Sequence, residues 1–573
     1  MRTSHLFFAC LALGGVVLAQ DSGQDPKFST NGTNLAEEVQ ALREALSQTQ
    51  KQLAAQQAEI QTLKAQSKAG TVTTAADNQV PVETEPRTYD LASHELGETG
   101  ANGTLNIDQQ PSAHPAQQTE KGEKSPTGSF KFDNAVLELG GFVDFENIFR
   151  TTNTQNNIAT AFGSIPFGNT AQGQITEFRT TAQYSRFNVK FAGNFAGSQI
   201  IAYLETDFSG NDAPNVYQTV NSTTNRLRLY FADVKRGNWE FLGGQTWSWL
   251  TPNRNGLGPM PNELAITYNE DQNLMVGVPY TRAAEFRVAY HANEHWAMGV
   301  GIEDPNQYIG NYVALPVGFT SIGSLFDNNN NPGAANLMPD ILSKVTYDRD
   351  FSGRHFHAEL TGLVTGAHAS VVPIGSTAFR THSVFGGGGE IAANYELVPN
   401  KLVVLANAFW SDGGAHYLVA TGPQLVVRPN LAGTDVSLSM VHAGAGSAGL
   451  EWRATPKNAF AVYYGADYFG RNFFPDTTDT MKPGTIIGFG GFGSPNTNNR
   501  AIQQATFDWI STFWKNPRHG ALQAYTQYSY LTRAPWYVAS GTPKNAHLSM
   551  VYVGLRYVLP TTSGTLAKVP RPD

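Results

Sequence analysis

The feature that most constrains this chain is a rhythm that begins near residue 130. Segments of about ten residues alternate apolar with polar side chains, joined in pairs by short turns and separated by longer polar stretches. The short connections fall at 193–198, 235–238, 291–295, 348–354, 398–401, 455–458 and 515–520, each polar or carrying Gly, Pro, Asn or Asp. The longer stretches include 209–225, 251–281 and 470–499. Seven hairpins account for fourteen strands. One strand before them, at about 136–149, and one after, at about 546–559, bring the expected total to sixteen antiparallel strands. The margin is two strands either way, and 417–427 has room for a further hairpin. Short turns on one side and long loops on the other describe an outer-membrane β-barrel, and sixteen strands leave an aqueous channel rather than a packed core.

The alternation separates two faces. Phe187, Val189 and Phe191 share one side of their strand, and Arg186, Asn188 and Lys190 the other. In the next pair Leu227, Leu229 and Phe231 oppose Arg226, Arg228 and Tyr230; further on, Phe286, Val288 and Tyr290 oppose Glu285 and Arg287. A soluble sandwich alternates too, but strand length, aromatics near strand ends and the asymmetry of the connections favour lipid. Composition agrees: charged residues are only 15%, while Gly (56), Phe (33) and Tyr (22) are plentiful. Beyond the N-terminus no 18-residue apolar run exists, which excludes a helical membrane protein.

The first residues carry Arg2 and then an apolar run from Leu6 to Leu18, with Val17-Leu18-Ala19 placing small residues at a cleavage position. Residues 1–19 therefore read as a secretory signal. Cys10, the only cysteine, lies inside it, so the exported chain is expected to have no disulfide. Residues 34–65 carry a heptad seam of Leu35, Val39, Leu42, Leu46, Thr49, Leu53, Gln56, Ile60 and Leu63, which predicts a coiled coil needing self-association for stability. A lone amphipathic helix is the alternative. Residues 66–129 form a flexible linker, 130–560 the barrel and 561–573 a tail. From 20 to 129 there are 15 acidic and 8 basic residues, so most of the chain's formal charge of −8 lies outside the barrel.

In order and spacing, Ser185-Arg186-Phe187-Asn188-Val189, Tyr203-Leu204-Glu205-Thr206-Asp207-Phe208, Arg226-Leu227-Arg228-Leu229-Tyr230 and Gly244-Gln245-Thr246-Trp247-Ser248 resemble the DcaP-like porins. The likeness covers most of the chain and is strongest from 141 to 250. It implies a trimeric barrel and passive uptake of small, often negatively charged organic acids. The last strand, Tyr552-Val553-Gly554-Leu555-Arg556-Tyr557-Val558-Leu559, resembles the signal read by the barrel assembly machinery, although the chain runs on past it to Asp573.

The function expected is an outer-membrane porin for small hydrophilic solutes, with the N-terminal segment in the periplasm. Arg186, Lys190, Arg226, Arg228 and Arg287 are the candidate pore-lining, anion-selecting residues, because guanidinium groups on one lumen face hold carboxylates. The competing expectation is a network neutralised by Asp144, Glu146, Glu205, Asp207 and Glu285. By resemblance to general porins, in which the third external loop folds inward and narrows the channel, Arg254, Glu263, Tyr268, Glu270 and Asp271 are candidates for such a loop, against a plain external loop. His355, His357 and Glu359 share a strand face; a hydrated rim is favoured over a metal site. Gly488-Phe489-Gly490-Gly491-Phe492-Gly493 reads as a loop, since no βαβ unit precedes it. No nucleophile, base and orienter stand together, so no enzyme, no cofactor, no metal and no nucleic-acid partner is expected. The partners expected are lipid, further copies of the chain, the assembly machinery and peptidoglycan. The alternative function is a structural protein tethering the membrane to the cell wall through its coiled coil.

Overall fold

The alternating segments close into a barrel in a computed structural model, which describes residues 128–156, 158–210, 224–260, 267–268, 274–305, 312–321, 336–418 and 422–561. The signal, the coiled coil, nearly all of the linker and the tail from 562 onward lie outside these residues. The barrel strands are β1 (Ala135–Arg150), β2 (in two pieces, Glu177–Thr181 and Arg186–Phe195), β3 (Ser198–Asp207), β4 (Arg226–Arg236), β5 (Trp239–Trp247), β6 (Arg282–His291), β7 (Trp296–Glu303) and β8 (Asp340–Phe351). They continue as β9 (Arg354–Pro373), β10 (Arg380–Val398), β11 (Leu402–Asp412), β12 (His442–Arg453), β13 (Asn458–Phe469), β14 (Asn499–Asn516), β15 (Gly520–Pro535) and β16 (Ala546–Val558). Each pairs antiparallel with its neighbour in the chain, and β1 pairs with β16 from Phe142↔Val558 to Arg150↔Met550. These sixteen strands close on themselves, so each finds a partner on both sides, as hydrocarbon requires, and two short strands, Ser129–Phe132 and Phe319–Ser321, add to the ends of the sheet.

All seven expected short connections are hairpins at one rim. Ala196-Gly197 (φ 48 and 78) and Ser352-Gly353 (φ 53 and 75) are two-residue turns with both central residues left-handed, the geometry whose twist matches that of paired strands. The segment expected to have room for a further hairpin leads into one: Leu425–Pro429 pairs with Val436–Met440, but as a separate two-stranded sheet on the long-loop side rather than in the barrel wall.

The outer face is apolar and exposed, with Phe145, Phe187, Phe286, Leu360, Ile391, Val462 and Phe507 among its residues. Near the short-turn rim aromatic rings touch across neighbouring strands: Trp239 with Tyr290 at 4.9 Å, Trp296 with Tyr347 at 4.7 Å, Phe356 with Tyr395 at 6.2 Å and Trp452 with Phe460 at 5.6 Å. Toward the other end Trp410 stacks on Tyr468 at 6.3 Å. From Phe460 to Tyr468 along β13 is about 26 Å of strand at 3.3 Å per residue, or about 20 Å of height at a typical tilt. An apolar band of that height between two aromatic girdles suits a bilayer.

One face assignment is corrected. The β3–β4 ladder shifts register between Glu205 and Thr206, leaving Arg228 without a cross-strand partner. This bulge reverses the parity beyond it. Leu227 stays outward and Arg228 inward, but Leu229 and Phe231 then turn inward while Tyr230 faces out. The two inward apolar side chains pack against Leu274, Met275, Val278 and Tyr280 of the segment between β5 and β6.

Candidate channel interior

Each of the five basic candidates faces inward and meets a carboxylate. Asp207, on β3, takes a two-pronged contact from Arg226 on β4, with Nε donating to Oδ1 at 2.9 Å and Nη2 to Oδ2 at 2.6 Å. Arg228 bridges two acids, donating from Nε to Glu205 at 2.8 Å and from Nη1 to Asp207 at 3.0 Å. Arg186 lies 3.6 Å from Glu205, Lys190 3.4 Å from Glu138 and Arg287 3.3 Å from Glu285. Tyr203 donates its hydroxyl to Glu205 at 2.8 Å, completing the cluster. Period-two alternation puts these residues on one face; register between neighbouring strands brings acid and base together, except that Arg287 and Glu285 are two residues apart on β6. Arg228 is wholly buried (0%), whereas Arg226 keeps 28% of its side chain accessible.

The described parts of the segment between β5 and β6, 248–260, 267–268 and 274–281, lie across the lumen. Their backbone is held by side chains of the opposite wall, and most of these contacts use carboxylate or carboxamide oxygens. Trp249 N–H donates to Glu303 at 3.1 Å, Asn253 N–H to Glu359 at 3.2 Å and Gly256 N–H to Asp348 at 3.0 Å. Tyr268 N–H donates to Gln527 at 2.6 Å, Val276 N–H to Gln504 at 2.9 Å and Gly277 N–H to Asp467 at 2.9 Å. Lys344 on β8 returns a bond to the Trp249 carbonyl at 2.8 Å, and Asn407 on β11 donates to the Gly277 carbonyl at 3.0 Å. Each of these bonds pairs a backbone group of the described part of the loop, as burial requires. The loop also occupies wall carboxylates that would otherwise present charge to the lumen.

Two of the loop candidates anchor this crossing. Arg254 forms a two-pronged ion pair with Glu451 on β12, with Nη1 at 2.8 Å, and the Tyr463 hydroxyl donates to the same carboxylate at 2.6 Å. Tyr268 stacks on Tyr525 of β15 with centroids 4.1 Å apart and planes at 6°. The Arg556 guanidinium lies 5.1 Å from the Tyr268 ring and pairs with Asp144 at 2.7 Å. Glu263, Glu270 and Asp271 lie outside the described residues.

Glycines on both partners permit the close approach. A Cβ on Gly465 of β13 would stand 1.8 Å from the Val276 carbonyl oxygen. Gly277, at φ +95, would put one 2.3 Å from the Gly446 carbonyl. Neither position tolerates a side chain while the loop lies flush on the wall.

The sequence reading missed a second inward loop. Ile158, Phe162, Ile165 and Phe167, between β1 and β2, are buried with Tyr268, Tyr525 and Tyr552. Arg533 donates to the Ile165 carbonyl at 2.9 Å, and Asn499 to that of Gly163 at 3.0 Å. The signal was the run of large apolar residues in a segment otherwise polar enough to pass for an exposed loop. Of the two histidines, His355 stays partly exposed beside its turn, but His357 differs from expectation. His357 is fully buried, held between Asp348 at 2.8 Å and Glu359 at 3.2 Å, not at a hydrated rim. Asp348 and Glu359 also hold the crossing loop, so the cluster fastens it to β8 and β9. Among the described residues no group of three His, Cys, Asp or Glu side chains is placed to hold a metal.

No family model matches the chain, and no curated protein does. Solved structures do. The outer membrane channel DcaP of Acinetobacter baumannii aligns over 76% of this chain and 100% of its own, at 16% identity and a TM-score of 0.50. An anion-selective porin from Comamonas acidovorans aligns over 74% and 100%, at 11% identity and a TM-score of 0.39. OmpT of Vibrio cholerae, an outer-membrane protein, aligns over 75% and 99%, at 10% identity and the same TM-score of 0.39. The likeness to DcaP, over the whole of that channel's length, shows that this chain has the fold of an outer-membrane channel: a closed antiparallel barrel of sixteen strands.

Proposed function

We propose that the protein is a bacterial outer-membrane porin through which small hydrophilic solutes diffuse passively. The observation that carries this reading is a lipid-facing barrel whose inner wall is polar and whose longest described inward loop is fastened across the lumen by named side chains. Such a loop limits the size of what passes, and the wall sets the charge it meets. Small organic anions such as carboxylates are the solutes favoured. Arg226, the most accessible of the three guanidiniums clustered on Glu205 and Asp207, is where a solute carboxylate competes with Asp207. Because every member of the basic set already has an acidic partner, the preference is modest rather than that of a bare arginine ladder. A homotrimer, with the N-terminal coiled coil in the periplasm, is part of the same proposal.

Liposome swelling with uncharged sugars of increasing size tests the proposal. Swelling that falls off steeply with solute size supports it. No swelling with the smallest sugar, from liposomes shown to hold folded protein, overturns it.

A further inference from the structure

At the long-loop end of β13 and β14 stand two exposed guanidiniums that the channel reading does not use. Trp536 is fixed there by two backbone contacts, its N–H donating to the Asn498 carbonyl at 2.9 Å and its indole N–H to that of Phe469 at 2.9 Å. Arg471 and Arg500 both lie over this ring, with Cζ 4.6 Å and 5.9 Å from its centroid. The two cations can therefore be no further apart than those distances combined. Both side chains are exposed. The β14–β15 ladder shifts between Asn499 and Ala501, which leaves Arg500 unpaired in the sheet.

Most interior arginines are compensated: Arg186, Arg226, Arg228, Arg254, Arg287 and Arg556 meet carboxylates, and Arg533 is held by carbonyls. Among the described residues neither Arg471 nor Arg500 has an ion pair. Below them the wall is aromatic: Tyr468 lies 6.0 Å from Trp536, and Trp410 6.3 Å from Tyr468. From the bilayer outward, the order is apolar wall, aromatic girdle, then two uncompensated cations held over an indole.

We propose that Arg471, Arg500 and Trp536 form a binding site for the phosphate-bearing headgroup of a lipid in the outer leaflet. The girdle sets the depth of the acyl chains. The guanidiniums, at headgroup level, supply the forked donors that phosphate oxygens accept, and the indole holds both forks in place before the lipid arrives. The site lies beside the exposed Tyr468 and takes a membrane lipid, not a solute in transit. It rests on the barrel lying in a membrane and not on conduction.

The test is native mass spectrometry of the full chain refolded in detergent micelles, with phosphatidylglycerol or phosphatidylcholine of the same acyl chains added. Wild type is expected to retain phosphatidylglycerol preferentially. R471Q/R500Q is expected to bind it at least about tenfold more weakly, with R471K/R500K between the two. Single-channel conductance of the same samples should not change with the double substitution, which separates failure of this site from failure of the channel. Equal retention of the two lipids by wild type, or wild-type retention of phosphatidylglycerol by a folded R471Q/R500Q protein, overturns the proposal. Full displacement of the lipid by millimolar inorganic phosphate overturns it as well, since the site would then take free anion.

Discussion

Replacing Gly465 with valine should release the crossing loop. The Cβ would stand 1.8 Å from the Val276 carbonyl oxygen, where ordinary contact begins at 3.4 Å. Gly465 lies within β13, which is hydrogen-bonded to β12 and β14 on its two sides, so the wall is the stiffer partner and the loop must withdraw. Withdrawal by on the order of 1.5 Å breaks three contacts: Gly277 N–H to Asp467, Val276 N–H to Gln504, and Asn407 to the Gly277 carbonyl. Two neutral bonds at about 1 kcal/mol each and one to a carboxylate at about 2 kcal/mol make about 4 kcal/mol of lost docking. That is roughly a thousandfold shift toward the undocked loop. In a planar bilayer the variant should show larger and noisier single-channel steps, and proteinase K should cut between β5 and β6 where it spares wild type. Gly243→Ala is the control, because its Cβ meets only the edge of Phe286 at 3.7 Å. A folded G465V protein with wild-type step size, noise and protease resistance would refute the reasoning.

Arg226→Ala should move the reversal potential in a salt gradient toward cation preference, because it removes the most accessible positive charge of the Glu205–Asp207 cluster; a shift toward anions would contradict the pairing described. Asp435, in the hairpin on the long-loop side, is held below the usual carboxylate range: burial pushes it upward but is outweighed by the Val436 N–H and by His382 and Arg380. Its contribution, on the order of 0.5 kcal/mol at so exposed a site, is therefore complete above about pH 4 and fades as pH falls through the lowered value. The protection of the Val436 amide, its exchange rate taken against the intrinsic rate at each pH, should fall through that acid range in wild type and show no such step in D435N. Deleting residues 20–129 should leave conductance unchanged if the pore is the function; loss of cell-wall association with blebbing would instead mark a tether.

Turn chemistry and alternation made most of the barrel legible. Residues such as Gly197, Gly237 and Gly353 mark hairpins because only a few backbone geometries reverse a chain in two residues, and the first and last strands fall within a residue or so of β1 and β16. What alternation does not carry is the identity of the group across the lumen. It places Arg186 and Arg228 inward but is silent about whether Glu205 cancels them, which depends on register. It equates apolar with lipid-facing, and this fails at Leu229 and Phe231, where a bulge reverses parity and the crossing loop supplies an apolar partner inside the barrel. Alternation says nothing of Ile158 and Phe162 either, which lie outside the strands and are buried against Tyr268, Tyr525 and Tyr552. Nearness to a short turn predicts a wet rim for His357, but a loop more than ninety positions earlier in the chain brings Gly256 down onto its partner Asp348.

The central claim, a membrane barrel that conducts past a fastened inner loop, is tested most directly by single-channel recording of the refolded protein in a planar bilayer under a salt gradient. The account predicts discrete steps, grouped in threes for a trimer, with a modest anion preference. No conductance from protein proven folded and inserted would contradict it and leave a plugged barrel whose role is structural.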